Sequence, residues 1–282
     1  MTDPKSVSEI YHKEAEFYER LAETLRVEDV RVHAAFEAPT APENRFILRR
    51  MGNLHGQRLL DVGAGMGESS VYFALQGADV TCTDLSPSMV AFAGKLARHH
   101  GVTLREIVCP AEKLDVPDGY FDLVYVANSI HHLPDKRVFF EEVRRVLKPG
   151  GRFFSWDPIA YNPVINVYRR MAVKVRTEDE TPLKAGDLKL VREYFTNIGH
   201  REFWIATLAL FLKYYLLDRV NPNDEWYWKR IFKETPASLW WWYPLLAADG
   251  ILTRLPGIRY LAWNMVMWGT KAAGGSQLGH SA

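Results

Sequence analysis

Short apolar runs alternate along this chain with longer stretches in which apolar residues return every three or four positions. The runs are RLLDVG (58–63), ADVTCTD (78–84), TLREIVC (103–109), FDLVYVANS (121–129) and RFFSWDP (152–158). Each is too short for a helix, so each reads as a buried strand. Between them, ESSVYFALQ, LSPSMVAFAGKLARHH and DKRVFFEEVRRVLKPGG carry helical periodicity. In the second, Ser86 is a good N-cap with Pro87 at the first helical position; in the third, Pro-Gly-Gly is expected to end the helix. This alternation predicts an α/β fold, a doubly wound and mostly parallel sheet with helices on both faces. Such sheets bind ligands at the carboxyl ends of their strands.

The flanks differ. Residues 5–36 read as one helix, broken by the prolines of APTAPENR, so residues 1–45 are expected to form a helical cap on a core at 46–157. Beyond it, 158–271 should complete a seven-stranded sheet. DLKLVREYFTNIG reads as a helix stopped by glycine, HREFWIATLALFLKYYLL as a strand running into a helix, and YLAWNMVMWGTK (260–271) as the last strand. The last two strands would form a hairpin. About fifty residues separate them, too many for a structureless connection, so a helical insertion is expected at about 209–259. The tail, 272–282, reads as disordered.

Composition narrows the function. A net charge of +1 supplies no field for nucleic acid, and no arginine–aromatic array suggests it. Cys82 and Cys109 have no partners at metal-ligand spacing and read as reduced, buried thiols; no metal is expected. The opening MTDPKSVSEIY lacks the basic and apolar regions of a signal peptide, which points to the cytoplasm.

The most specific chemical signal is LLDVGAGMGESS. Asp61 ends a strand, and Gly63, Gly65 and Gly67 follow before a helix, letting backbone approach a ligand closely. The spacing is G-x-G-x-G, not the pyrophosphate-cradling G-x-G-x-x-G. Asp84, at the end of the next strand, can accept both hydrogen bonds of a ribose diol. With VTCTDLSPSMV, CPAEKLDVPDGYFDLVYVANSIHHLPD and VLKPGGRFFSWDP, this segment resembles the class I methyltransferases that use S-adenosylmethionine. The resemblance implies that Gly63, Ala64 and Gly65 line the methionine part of the cofactor, with Asp61 near its amino group and Asn128 passing beside it. It implies that Asp84 holds the ribose and that Leu85 and Met89 flank the adenine. Where that family often has Gly-Asp-Ala-Glu, this chain has CPAE. Pro110 replaces the aspartate, and backbone groups of Ala111 and Glu112 would serve the adenine instead. Tyr11 and Tyr18 resemble the family's tyrosine that closes over the cofactor carboxylate; simple packing of a helix on the sheet is the plainer reading.

Methyl transfer to a hydroxyl or an acidic carbon needs a base, for which histidine suits neutral pH. His131 and His132 follow the fourth strand as candidates, although HHLPD can equally shape a loop. Arg169 and Arg170, in NVYRRMAVKVR, could clamp an acidic group on the acceptor or form a solvated basic face. All nine tryptophans follow residue 155, three of them in SLWWWYPLL, with Trp241 and Trp242 as candidate acceptor contacts. The aromatic insertion can roof an apolar cleft, lie in a membrane interface with the cations of KRIFK on anionic lipid, or form a homodimer interface. The expected function is S-adenosylmethionine-dependent methylation, at oxygen or carbon, of a small lipophilic acceptor such as a natural product, a prenyl or polyketide compound, or a quinone-like lipid. The rivals are a non-catalytic or membrane-recruited binding module and a methyltransferase fold that promotes cyclisation.

Overall fold

The computed structural model describes residues 4–177, 180–234 and 240–273, with backbone alone for residues 4–8 and 175. Seven strands form one sheet: β1 (Arg58–Val62), β2 (Asp79–Asp84), β3 (Arg105–Val108), β4 (Phe121–Ala127), β5 (Leu147–Pro158), β6 (Thr196–Phe203) and β7 (Asn264–Thr270). Their order is β3-β2-β1-β4-β5-β7-β6. The first five are parallel, whereas β7 pairs antiparallel with both β5 and β6. Strand order reverses between β1 and β4, and a ligand crevice opens at their carboxyl ends.

Helices α4 (Glu68–Leu75), α5 (Pro87–His99), α6 (Lys136–Val146) and, after α7 (Pro163–Met171), α8 (Asp187–Tyr194) join the strands. Ser86 caps α5 by accepting from the Met89 amide at 3.3 Å, and Asp135 caps α6 through the amides of Arg137 and Val138. The expected helix over 5–36 is shorter: α1 runs Pro4–Ala22, a single 3-10 turn spans Val27–Asp29 and α2 is only Ala34–Glu37. Thr24 turns back on Leu21, its hydroxyl donating to the Leu21 carbonyl at 2.8 Å, and the helix stops there. α3 (Pro42–Met51) starts inside the presumed breaker, because proline at the first helical position needs no amide partner.

Two glycine signals read as helix stops are strand features. α6 ends at Val146, and Lys148-Pro149-Gly150-Gly151 already belongs to β5. The Gly150 amide donates to the Lys271 carbonyl, and the Lys271 amide to Gly151. Likewise α8 ends at Tyr194 and Gly199 lies within β6, where a Cβ would collide with the Trp268 ring.

Between β6 and β7 the described chain is helical: a 3-10 turn at Ala206–Leu208, α9 (Ala209–Leu212), a π turn at Lys213–Leu217, α10 (Tyr227–Arg230) and α11 (Trp242–Leu252). The insertion shares one core with the N-terminal helices, since Phe36, Phe46, Trp204, Phe211, Tyr227, Trp242 and Trp263 belong to the same buried cluster. Of the nine tryptophans only Trp240 stands mostly in solvent, at 77 %. The aromatic surplus is therefore interior packing before it is surface. Ser238, Leu239 and the tail from 274, expected to be disordered, lie outside the described residues. No described helix is long and apolar enough to cross a membrane.

Candidate active site

The cleft begins at the β1–α4 loop. Gly63, Gly65 and Gly67 all have positive φ, at 65, 54 and 80°. Their tasks differ. A Cβ on Gly63 would meet Ser129 Oγ at 2.3 Å, and one on Gly67 would meet Ala93 Cβ at 2.4 Å, so these two let neighbouring elements pack close. Gly65 faces open space, with nothing within 4 Å of its missing Cβ. It is the glycine that leaves room for a ligand.

Asp84 organises this loop. One carboxylate oxygen accepts from the Gly65 amide at 2.8 Å, the other from the Ser86 amide at 2.9 Å. Burial pushes its pKa up, and the two amides oppose that. Each oxygen keeps a lone pair for a further donor. Asp61 behaves differently. It is 1 % exposed, does not line the cleft, and one of its oxygens accepts from both Ser69 and Ser70 hydroxyls at 2.6 Å. Burial pushes it up to about 6 against those two hydroxyls. Its visible task is to tie the end of β1 to the first turn of α4.

Gly63, Ala64, Gly65, Asp84, Leu85, Met89, Ala111, Glu112, Asn128, Tyr11 and Tyr18 all line one cleft. Asn128 sits at φ 53°, a left-handed conformation asparagine tolerates, and its amide donates to the Trp156 carbonyl at 2.8 Å. α1 lays Tyr11 beside Glu112, and burial with that carboxylate pushes the phenol up. Tyr18 packs edge-on to His132, at 6.3 Å between ring centres, and burial beside Glu14 and Asp84 raises it too.

The two histidines, 4.0 Å apart between rings, part company. His131 is 3 % exposed and outside the cleft. Its Nδ1 lies 2.7 Å from Asp157 Oδ1, which also accepts its backbone amide at 3.2 Å. Burial, with His132 and the cations Arg169, Arg176 and Lys136 nearby, holds His131 well below the ordinary histidine range, and burial pushes Asp157 up to about 7. His132 lines the cleft, with Nδ1 2.7 Å from Glu14 Oε1 and 3.2 Å from Thr177 Oγ1. The Thr177 hydroxyl donates to the same Glu14 oxygen at 2.7 Å. A histidine whose Nδ1 is fixed by a carboxylate presents its other nitrogen as a base. Ligand atoms of His131, His132 and Glu180 fall within 4.8 Å of one another, the geometry of a possible cation site. Arg176 already ion-pairs with Glu180, and Asp157 and Glu14 hold the histidines, so protein partners satisfy these groups.

The acceptor-side expectations need correction. Trp242 is fully buried and edge-on to Trp204 at 4.9 Å, Trp241 packs on Trp242, and neither reaches the cleft. The roof comes from an earlier part of the insertion: Trp226, Trp228, Lys229 and Phe232. Trp226 and Trp228 stack at 5.3 Å, and Lys229 donates to Glu68 across the cleft. Phe17, Leu21 and Phe36 supply more apolar wall. Arg169 and Arg170 are not in the cleft either. Arg169 turns back to Asn166 Oδ1 at 3.0 Å and Arg170 faces solvent. The cations of KRIFK are occupied as well: Lys229 on Glu68, and Arg230 and Lys233 on Glu225. Glu14 and Trp228 were missed in the sequence. Glu14 lay between Tyr11 and Tyr18 at spacings of three and four, on one helical face, a signal that could have found it.

Comparison with known proteins fits this geometry. Residues 60–155 match the family described as "Methyltransferase domain". That segment is a class I S-adenosylmethionine-dependent methyltransferase domain. Around it the chain is similar to the ubiquinone/menaquinone biosynthesis C-methyltransferase UbiE of Paraburkholderia phytofirmans, 39 % identical over 122 residues, covering 40 % of this chain and 49 % of that one. The Burkholderia multivorans UbiE is 30 % identical over 164 residues, 55 % of this chain and 63 % of that one. The chain thus spans from about half to under two thirds of these relatives. Its fold is shared with phosphoethanolamine N-methyltransferase 2 of Haemonchus contortus, at TM-score 0.58 and 21 % identity over 92 % of this chain and 60 % of that one. The methyltransferase domain contains the glycine loop, Asp84, Asn128 and both histidines. Glu14, Tyr18 and the Trp226–Phe232 roof lie outside it.

Proposed function

We propose that this protein binds S-adenosylmethionine and methylates a small lipophilic acceptor, a quinone-like or related phenolic ring being the class that fits best. The observation that carries this is the mixed lining of one cleft: the Asp84 carboxylate and the Gly65 loop, together with the aromatic side chains of Phe17, Phe36, Trp226, Trp228 and Phe232. The first group suits a ribose and an amino acid, with Gly65 leaving the room. The second suits a flat apolar ring, because aromatic side chains bury much area with few torsions to fix. The UbiE relatives are by name C-methyltransferases of ubiquinone and menaquinone biosynthesis, which favours carbon as the target.

The bound sulfonium supplies the activated methyl group; the protein supplies approach geometry, dryness and a base. His132, its Nδ1 held by Glu14, takes the acceptor's hydroxyl proton at Nε2. Removing that proton makes both the oxygen and the adjacent ring carbon nucleophilic, so one base serves either outcome. Asn128 and Ser129, at the end of β4, hold the loop beside the reacting centre: Ser129 Oγ donates to the Gly63 carbonyl at 3.1 Å. The test is methyl-labelled S-adenosylmethionine incubated with the protein and a demethylated quinol, then partitioned between organic solvent and water. Label in the organic phase, lost in His132→Gln, is expected. Cofactor binding without label in any lipophilic acceptor would overturn the reading and favour the non-catalytic module.

A further inference from the structure

A second recess lies on the other side of α3 from the cleft. Asn44 faces the cleft, whereas Arg45 and Arg49, on the same helix, line the recess with Arg201 of β6. Burial, with Arg254, Arg49 and Arg50 nearby, pushes the Arg201 guanidinium downward, and Glu202 opposes them. Among the described residues none of Arg45, Arg49, Arg201 and Arg254 has a carboxylate at ion-pair distance. Two acids border the recess, and both are engaged elsewhere. Glu202 is 3 % exposed and its Oε1 lies 2.6 Å from His200 Nδ1. Asp249 accepts the amides of Ile205 and Ala206 at 3.2 and 2.6 Å, and the Thr207 hydroxyl. The far wall is α11, where Gly250 leaves open space: a Cβ there would meet nothing within 4 Å.

The arginines outnumber the two carboxylates at this recess, and both carboxylates are already held by other partners, so an anion can complete the site. Several forks around one recess match the several oxygens of a phosphate better than a single carboxylate. We infer that the Arg45–Arg49–Arg201 recess binds a phosphate group, presented either by an anionic lipid headgroup or by a free phosphate compound. Ile251 and Leu255, exposed at 63 and 41 %, flank Arg254 at the end of α11 and would enter the acyl boundary if the phosphate is a headgroup. The membrane contact expected at KRIFK would then lie here, where the arginines outnumber the acids. This inference stands apart from the proposed reaction.

The test uses the full chain. Cosedimentation is measured with vesicles of phosphatidylcholine alone or with added phosphatidylglycerol, and calorimetry with inorganic pyrophosphate. The variants are Arg45→Gln/Arg49→Gln/Arg201→Gln; a control of equal charge, Arg105→Gln/Arg144→Gln/Arg192→Gln; and Gly250→Glu, which puts a carboxylate into the recess without removing an arginine. Binding to phosphatidylglycerol vesicles that falls on the order of a hundred-fold in the recess triple and in Gly250→Glu, but little in the control, assigns a headgroup. Pyrophosphate binding lost in the same two variants, without vesicle binding, assigns a free phosphate. Equal weakening by the control triple, or no binding of either probe by the wild-type chain, overturns the inference.

Discussion

Replacing Asp84 with asparagine is the sharpest probe of the cofactor end, because the structure says what each oxygen does. One accepts from the Gly65 amide at 2.8 Å and the other from the Ser86 amide at 2.9 Å. Asparagine has one oxygen and one NH2 group. Whichever way it turns, a donor faces one of those two amides. The loop loses one hydrogen bond to a charged group, worth about 1.5–3 kcal/mol, and a ribose diol loses at least one more of the same kind. Together this is about 3–6 kcal/mol, so the dissociation constant for S-adenosylmethionine should rise roughly 10²- to 10⁴-fold. Titration calorimetry with S-adenosylhomocysteine, which spares the methyl group, reads this directly. A thermal scan without ligand separates loop damage from lost contact. If Asp84→Asn binds within about three-fold of wild type, Asp84 is a loop brace and the ribose lies elsewhere.

Three further outcomes follow from the same geometry. His132→Gln and Glu14→Gln should each lower turnover, by about 10²-fold for the histidine and less for its orienting carboxylate, with S-adenosylhomocysteine affinity unchanged; equal effects of His131→Gln and His132→Gln would refute the assignment of the base. Trp228→Ala should raise the KM for a quinol acceptor about ten-fold or more by removing one wall of the aromatic cleft, whereas Trp240→Ala, on the solvent side, should leave it within about two-fold; a reversed order would return the roof to the tryptophan triplet. Glu43, buried against Asn264 Nδ2 at 2.6 Å, is raised by burial from 4.5 to about 7. Its ionisation is disfavoured in the fold, so its contribution to stability is complete below the unfolded value and is lost as pH climbs through about 7. Glu43→Gln should therefore be more stable than wild type by about 3 kcal/mol above roughly pH 8 and equal to it below about pH 4, as urea unfolding would measure; the same difference at both pH values would refute it.

The cofactor end was legible because backbone builds it. A strand ending in aspartate, glycines at alternate positions, and an acid at the end of the next strand are local patterns, and the alternating periods fix the parallel sheet beneath them. Tertiary packing decided what was missed. Gly199 looks like any helix stop until Trp268 lies across it, and Gly150–Gly151 lie inside β5, which begins at Leu147 directly after α6 with no linker between. In SLWWWYPLL three consecutive rings must point in different directions, and sequence cannot say which one meets the cleft. None of them does: Trp242 fills the core under Trp204 and Trp240 faces solvent. Trp226 and Trp228 drew less notice because each flanks the buried Tyr227 in a polar stretch.

The division between what was read and what was missed follows the division of labour in the cleft. Backbone amides, glycine φ angles and one carboxylate build the proposed cofactor end, and all of these lie within residues 60–155. Side chains from α1 and from the insertion, far apart in the chain, line the proposed acceptor end. His132 joins the two: it belongs to the matched segment, yet Glu14 from α1 fixes its ring. The N-terminal helix therefore does more than cover the sheet. It supplies the Glu14 carboxylate that holds His132, the proposed base, and the Tyr18 ring beside Asp84. A core lacking α1 would keep the glycine loop and Asp84 but would leave His132 without its partner. On the proposed reading, binding of cofactor and activation of acceptor are therefore separable, and the second depends on residues outside the matched segment.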